Sequence, residues 1–187
     1  MSVSLKKPVD PERLAASGGW LEDVLPVARM ARLSSLLAEP APDETAADCR
    51  LRFSRDENGR LRLEGEVQAV LSLTCQRCLE PAELLVSGRF DMAVVESEAE
   101  AALLPAELDP VFRERRLLDL VALMEEELIL AMPQVARHAS VSECGPIASD
   151  ERLIAAEAVA VVEDEAQPTQ RPFQVLAGLN KGRNRKK

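Results

Sequence analysis

Apolar and polar residues alternate through the middle of this chain with the two-residue period of a β-strand. In the first run, Cys49, Leu51 and Phe53 alternate with polar neighbours, and an Asn58-Gly59 turn signal follows. Two further runs continue the alternation. Their apolar positions are Leu61, Leu63, Val67, Ala69, Leu71 and Leu73, and then Ala82, Leu84, Val86, Phe90, Met92 and Val94. Antiparallel strands with one face in water show this alternation, so the pattern predicts a β-meander.

The junction between the second and third runs predicts a register. If Gln76-Arg77 forms a two-residue turn, the apolar residues pair on one face, Gly65 lies opposite Gly88, and Cys75 lies opposite Cys78 at the tip. However, a two-residue hairpin turn favours residues that accept positive φ at both positions, and Gln-Arg does not. The tip is therefore expected to be wider than two residues or to be held by another restraint, such as a bound metal.

A helix is predicted after the strands. Asp119 is a suitable N-cap, and Pro133 ends the pattern. Apolar side chains recur between them at helical spacing, at Leu120, Met124, Leu128 and Ala131. We expect Glu125-Glu126-Glu127 to form a solvated face of this helix, because three consecutive carboxylates spread around a turn and cannot converge on one site. Before the strands, the pattern predicts a short helix over 11–16 and a strand over 24–30.

These elements predict an α+β fold. Its sheet is an antiparallel β-meander or a partly closed sheet, packed by a few helices. We assign residues 1–147 to a single α+β domain, residues 148–170 to a flexible acidic linker, and residues 171–187 to a docking segment and a basic C-terminal tail.

Charge is distributed unevenly along the 187 residues. The net charge is -9, but the last 17 residues contain six basic residues and no acid, so the first 170 contain 17 basic and 32 acidic residues. An acidic body repels polyanions, and any nucleic-acid contact must therefore be local. The candidate RNA-binding residues are Lys181, Arg183, Arg185, Lys186 and Lys187. The alternative is a solvated terminal tail without a ligand.

Just before this basic tail, Phe173, Leu176 and Leu179 recur at every third position. They predict one apolar edge of a short helix that docks on the domain or on a partner protein. Elsewhere, no run of eighteen uncharged apolar residues occurs, which favours a cytoplasmic protein without a membrane span.

Four soft or borderline metal ligands form the main candidate site. Cys75 and Cys78 lie in a Cys-x-x-Cys motif, and His138 and Cys144 follow after a gap of 59 residues. Zn²⁺ binds four such sulfur and nitrogen ligands, so one zinc ion is a candidate cofactor. Free or buried thiols are an alternative, and so is a redox pair. A thioredoxin-type pair needs a helix N-terminus, whereas Pro81 and a strand follow this motif.

Four blocks together resemble a known family. They are Cys75–Cys78, the run Glu125–Pro133, the pair His138 and Cys144, and Pro172–Leu179. In this order they resemble the bacterial YceD family, the large ribosomal RNA subunit accumulation proteins. The chain departs from many members of that family by having an arginine before Pro172-Phe173 and a long basic end.

This resemblance implies a non-enzymatic ribosome-biogenesis factor. It is expected to support the synthesis, processing or stability of large-subunit (23S) ribosomal RNA by binding that RNA or an early pre-ribosomal particle. Two alternatives stay open: an adaptor or chaperone for a basic ribosomal protein, and a Cys-x-x-Cys thiol oxidoreductase. Neither a membrane nor a small-molecule substrate is expected.

Overall fold

A single five-stranded sheet organises the fold. The computed structural model describes residues 4–145, and the structural statements below concern those residues. The strands are β1 (Leu21–Pro26), β2 (Ala46–Arg55), β3 (Leu61–Thr74), β4 (Pro81–Val95) and β5 (Asp109–Phe112), in this spatial order. The strands from β1 to β4 pair antiparallel, whereas β5 runs parallel to β4. The predicted α+β class and meander are confirmed, but the sheet is mixed and is not closed.

The parallel strand β5 was not predicted. It has only four residues, and two of its neighbours along β4 are Val94, paired with Val111, and Val95, paired with Phe112. A strand this short contains too few residues for an alternation to stand out from a loop. The connection to it contains the short helix α3 (Glu98–Ala101), which the Ser97 side chain caps.

The register between β3 and β4 differs by two residues from the predicted one. Gly65 pairs with Phe90 and Val67 pairs with Gly88, so the two glycines are not opposite each other. The connection is wider than Gln76-Arg77, because the last ladder pair is Thr74 with Pro81. A shift of two keeps every side chain on its predicted face, since side chains alternate with a period of two.

Helices lie against the apolar face of the sheet. The longest, α4 (Leu120–Ala131), begins at the predicted cap Asp119, whose side chain accepts hydrogen bonds from two backbone N–H groups. The helix α1 (Pro11–Ser17) is capped in the same way by Asp10. The predicted strand over 24–30 lies earlier in the structure: β1 begins at Leu21, ends at Pro26 and leads through a 3₁₀ turn (Val27–Arg29) into α2 (Ala31–Ser34).

The core lies between the apolar face of the sheet and these helices. Its fully buried side chains include Phe53, Leu63 and Leu71 from the sheet and Met124 and Leu128 from α4. At Gly88, an added Cβ would lie 3.2 Å from the Glu127 carbonyl oxygen, so this glycine permits α4 to approach β4 closely.

The prediction of a solvated glutamate face on α4 was wrong for two of the three residues. Glu125 and Glu127 are each only 8% exposed, and Glu126 is the outer one. The Glu125 carboxylate accepts hydrogen bonds from the backbone N–H groups of Arg32 (2.7 Å) and Leu33 (3.1 Å). Glu125 therefore satisfies the N-terminal donors of α2, which a sequence pattern within α4 cannot reveal.

The other face of the sheet is solvated and rich in ion pairs. Arginines on this face pair with carboxylates on neighbouring strands: Arg50 with Glu22, Arg52 with Glu64, Arg62 with Asp91, and Arg89 with Glu66. The Arg50 and Arg52 guanidinium groups also lie over the Trp20 ring. In the described part of the chain, no helix is long and apolar enough to cross a bilayer.

Candidate functional site

The first half of the candidate site is the loop that joins β3 to β4. The Cys75 N–H donates to the Glu80 carbonyl (2.9 Å), and the Leu79 N–H donates to the Cys75 carbonyl (2.8 Å). Leu79 has a positive φ of 66° and is mostly exposed. The left-handed conformation of Leu79 lets the chain turn back into β4 directly after Cys78, so the tight loop keeps Cys75 and Cys78 close together.

The second half comes from the segment that follows α4. Its first contact with the loop is a hydrogen bond from the Gln76 N–H to the Ala136 carbonyl (2.8 Å). His138 then makes a second contact, since its Nε2 lies 3.1 Å from the Pro81 carbonyl oxygen. A 3₁₀ turn (Val141–Glu143) follows and places Cys144 in a buried position.

These contacts bring all four predicted ligands into one cluster. The Cys75, Cys78 and Cys144 sulfurs and a His138 ring nitrogen all lie within 4.8 Å of one another. The His138 Nδ1 lies 3.5 Å from the Cys78 sulfur and 3.6 Å from the Cys144 sulfur. Two segments about sixty positions apart in the chain therefore converge on one point.

Hydrogen bonding and burial shift the pKa values of Cys75 and Cys78 in opposite directions. Burial on its own raises the pKa of Cys75, but the backbone N–H groups of Cys78, His138 and Arg77 outweigh it and lower that pKa to about 6. In contrast, burial raises the pKa of Cys78, and the neighbouring sulfurs of Cys75 and Cys144 add to this effect. The loop thus stabilises a thiolate at Cys75.

These opposite pKa shifts do not suit a thioredoxin-type redox pair. Such a pair needs an accessible attacking thiol with a lowered pKa, usually at a helix N-terminus. Here the low-pKa Cys75 is fully buried, the more accessible Cys78 has the raised pKa, and β4 follows the motif instead of a helix. All four cysteines of the chain are free thiols. The four side chains of Cys75, Cys78, His138 and Cys144 could hold a soft or borderline metal ion.

Cys49 lies outside this cluster, as its strand pattern predicts. It is buried on β2, and burial raises the pKa of its thiol to about 12, with the charges of Asp23 and Asp48 adding to the effect. Cys49 is therefore a small core residue.

A second feature, which the sequence did not reveal, is a tight turn made of two arginines. Glu114 and Leu117 exchange both backbone hydrogen bonds (2.9 and 2.8 Å), and Arg115 and Arg116 between them have φ values of 47° and 70°. Positive φ at both central positions defines a type I′ turn, for which Asn-Gly is the preferred sequence. The dipeptide Arg-Arg therefore carries no turn signal.

This Arg115-Arg116 turn is exposed beside apolar surface. Phe112 and Leu117 flank it and are 43% and 44% exposed, and a cavity of about 590 Å³ next to it is lined by residues that include Pro8 and Leu123. Neither arginine makes a salt bridge with any residue in the described range, unlike the paired arginines of the sheet. The turn is an exposed basic position on a net acidic body, and Glu114 and Asp119 line the same cavity.

The remaining predicted site residues lie outside the described part of the chain. They are the candidate RNA-binding residues Lys181, Arg183, Arg185, Lys186 and Lys187 and the candidate docking residues Phe173, Leu176 and Leu179. The predicted linker, residues 148–170, lies outside it as well. These assignments stay predictions.

Comparisons with known proteins identify the same family as the four sequence blocks between Cys75 and Leu179. The family model described as large ribosomal RNA subunit accumulation protein YceD matches residues 63–180. A protein of that same description from Haemophilus influenzae is 33% identical over 134 residues, which cover 71% of this chain and 73% of the relative. No solved structure matches the chain.

Proposed function

Because the chain belongs to the YceD family, we propose that it acts in the accumulation of large-subunit ribosomal RNA. The observation that carries this proposal is the family match over residues 63–180, which includes both halves of the cysteine and histidine cluster. We further propose that it acts without catalysis, by binding the ribosomal RNA or an early pre-ribosomal particle.

Electrostatics support a local RNA contact over a broad one. The first 170 residues carry 17 basic and 32 acidic groups, and the sheet arginines are paired with carboxylates. A paired arginine has little charge left for phosphate, and a net acidic surface repels it. Single-stranded RNA binding on aromatic side chains is also disfavoured, since only 3% of the residues are aromatic.

Two basic segments are therefore the proposed contacts. The first is the C-terminal tail, with five Lys and Arg residues between Lys181 and Lys187 and no acid. The second is the exposed Arg115-Arg116 turn, whose arginines make no salt bridge within residues 4–145 and whose Arg115 lines the same cavity as the partly exposed Phe112. Guanidinium groups recognise phosphate through paired hydrogen bonds.

Salt-dependent RNA binding tests this proposal. The five basic residues of the tail, Lys181, Arg183, Arg185, Lys186 and Lys187, are replaced by glutamine at constant chain length, and affinity for large-subunit ribosomal RNA is measured over a range of salt concentrations. We expect weaker binding and a log–log salt slope that is shallower by roughly 0.7–0.9 for each lost phosphate contact. Arg89→Gln is the matched control, because Arg89 is highly exposed but paired with Glu66.

Other results would favour the rival functions. An unchanged salt slope in the tail variant rejects the tail as an RNA contact. Binding of a basic ribosomal protein in the absence of RNA would support the adaptor function instead. Turnover of a disulfide substrate that depends on Cys75 and Cys78 would support an oxidoreductase.

A further inference from the structure

We propose that Cys75, Cys78, His138 and Cys144 bind one Zn²⁺ ion as a structural site. The inference rests on the geometry of the four side chains and is independent of the proposed RNA contacts. It assigns to the cluster a ligand that the family description does not mention.

The observed distances fit a tetrahedral site. Zinc–sulfur and zinc–nitrogen bonds of about 2.3 Å and 2.05 Å place neighbouring sulfur and nitrogen ligands about 3.6 Å apart in a tetrahedron. The His138 Nδ1 lies 3.5 Å and 3.6 Å from the Cys78 and Cys144 sulfurs. All the ligand atoms lie within 4.8 Å of one another, so small side-chain movements suffice to bring the four onto one ion.

The histidine is held in the orientation that a metal requires. Its Nε2 lies 3.1 Å from the Pro81 carbonyl oxygen, which can only accept a hydrogen bond, so Nε2 carries the proton. In the neutral ring, Nδ1 then has the free lone pair, and Nδ1 is the atom that faces the sulfurs. Zinc-binding histidines commonly donate their other N–H group to a carbonyl or carboxylate in this way.

The Cys75–Cys78 loop resembles a zinc knuckle in its backbone as well. The Leu79 N–H donates to the Cys75 carbonyl (2.8 Å) and closes the loop that carries the two cysteines. Leu79, directly after the second cysteine, adopts the positive φ that the chain needs to turn away from the ligands. A leucine in this conformation is strained, and such strain persists only where the surrounding structure enforces it.

Four protein ligands fill the tetrahedron and leave no position for water or substrate. Such saturated sites stabilise folds, whereas catalytic zinc sites keep one position open. The ion would join the β3–β4 loop to the segment after α4. These two parts are also linked by the hydrogen bonds of Ala136 and His138 and by the Arg77 guanidinium, which lies 3.5 Å from the Cys144 sulfur. We therefore expect the ion to hold residues 133–145 against the sheet.

Metal analysis of the purified full-length protein tests the site. We expect about one zinc per chain in the wild type and in Cys49→Ser, whose thiol lies outside the cluster, and strongly reduced zinc in Cys78→Ser and Cys144→Ser. Replacement of the zinc by Co²⁺ should produce the intense visible bands of tetrahedral coordination together with thiolate charge-transfer absorption. Both signals report ligand type without any dependence on RNA.

A measurement on the wild type covers the case in which a variant fails to fold. Removal of zinc by a chelator should lower the thermal midpoint and increase amide hydrogen exchange in residues 75–80 and 133–145, and added Zn²⁺ should restore both. The proposal is overturned if the reduced wild-type protein contains no zinc and neither Zn²⁺ nor Co²⁺ changes its thermal midpoint or absorption. Retention of stoichiometric zinc by both Cys78→Ser and Cys144→Ser overturns it as well.

Discussion

The ring of Phe90 lies over the backbone of Gly65, its partner on the neighbouring strand. A Cβ built on Gly65 would lie 2.9 Å from Cζ of that ring, 2.6 Å from the Arg50 carbonyl oxygen and 2.8 Å from the Leu51 Cβ. All three distances are shorter than real side chains tolerate. The absence of a side chain at position 65 therefore allows the aromatic ring to cover the centre of the sheet.

Gly65→Ala is accordingly expected to destabilise the protein. The new methyl group meets backbone and a large buried ring, neither of which can move without shifting a strand, so we expect a loss of about 1–3 kcal/mol in the free energy of unfolding. Urea denaturation measures it. Gly88→Ala is the comparison, since its nearest atom would be 3.2 Å away, and it should cost less. Equal losses for the two variants would contradict this explanation.

Glu125→Ala is expected to be more damaging than Glu126→Ala. The Glu125 carboxylate accepts hydrogen bonds from the Arg32 and Leu33 N–H groups in a mostly buried position, and its removal leaves those donors without an acceptor. We expect a cost of about 2–3 kcal/mol. Glu126, in contrast, makes an exposed ion pair with Arg32 (2.6 Å), and such pairs contribute about 0–1 kcal/mol.

Chemical denaturation of both variants at neutral pH distinguishes these two roles. If Glu125 acts only through its charge pair with Arg32, Arg32→Ala should reproduce the full effect of Glu125→Ala. We expect it to reproduce a small part, because the alanine keeps its backbone N–H group.

Glu127 makes stability depend on pH in the opposite direction from a salt-bridged carboxylate. Burial raises its pKa, and the charges of Glu126 and Asp109 add to this. Because the pKa in the folded state exceeds that in the unfolded state, the folded state binds the proton more tightly, and this contribution to stability is lost as pH rises through the folded-state pKa.

Glu127→Gln should therefore stabilise the protein at neutral pH. The gain over the wild type should shrink as pH falls from the raised folded-state pKa of Glu127 towards the ordinary glutamate value of about 4.3, below which both states bind the proton. Denaturation of both proteins at several pH values checks this. A gain that is independent of pH would show that the side chain acts by packing instead of charge.

Replacement of Arg115-Arg116 by Asn-Gly is expected to separate stability from RNA affinity. Both positions have positive φ, which Asn and Gly adopt more readily, so the free energy of unfolding should rise by roughly 1 kcal/mol or more. The same change removes two arginine charges that make no salt bridge within residues 4–145, and it should weaken RNA binding. Lys-Lys at these positions is the control, since it keeps both charges in the same strained turn.

A more stable variant with unchanged RNA affinity would remove the turn from the proposed contacts. It would leave the tail as the proposed contact, because the glutamine substitutions test the tail separately.

Local patterns in the sequence determined the three long strands β2, β3 and β4, the helix after Asp119 and the face of the sheet on which the side chains of those strands lie. A two-residue period assigns faces correctly even when the register is wrong by two, and for this reason the apolar face was right although Gly65 pairs with Phe90. The residue types at Cys75, Cys78, His138 and Cys144 predict a metal site, and the structure brings their ligand atoms within 4.8 Å of one another.

Tertiary structure decided what depends on contacts between distant segments. Closure of the wide β3–β4 loop sets the register, and the path of the chain after α4 brings His138 to Cys78. Glu125 can be buried because its carboxylate accepts hydrogen bonds from the N–H groups of Arg32 and Leu33, which would otherwise lack an acceptor and lie more than ninety positions away. Sequence periodicity reports only the environment along one element, whereas hydrogen-bond acceptors and metal ligands are matched across elements.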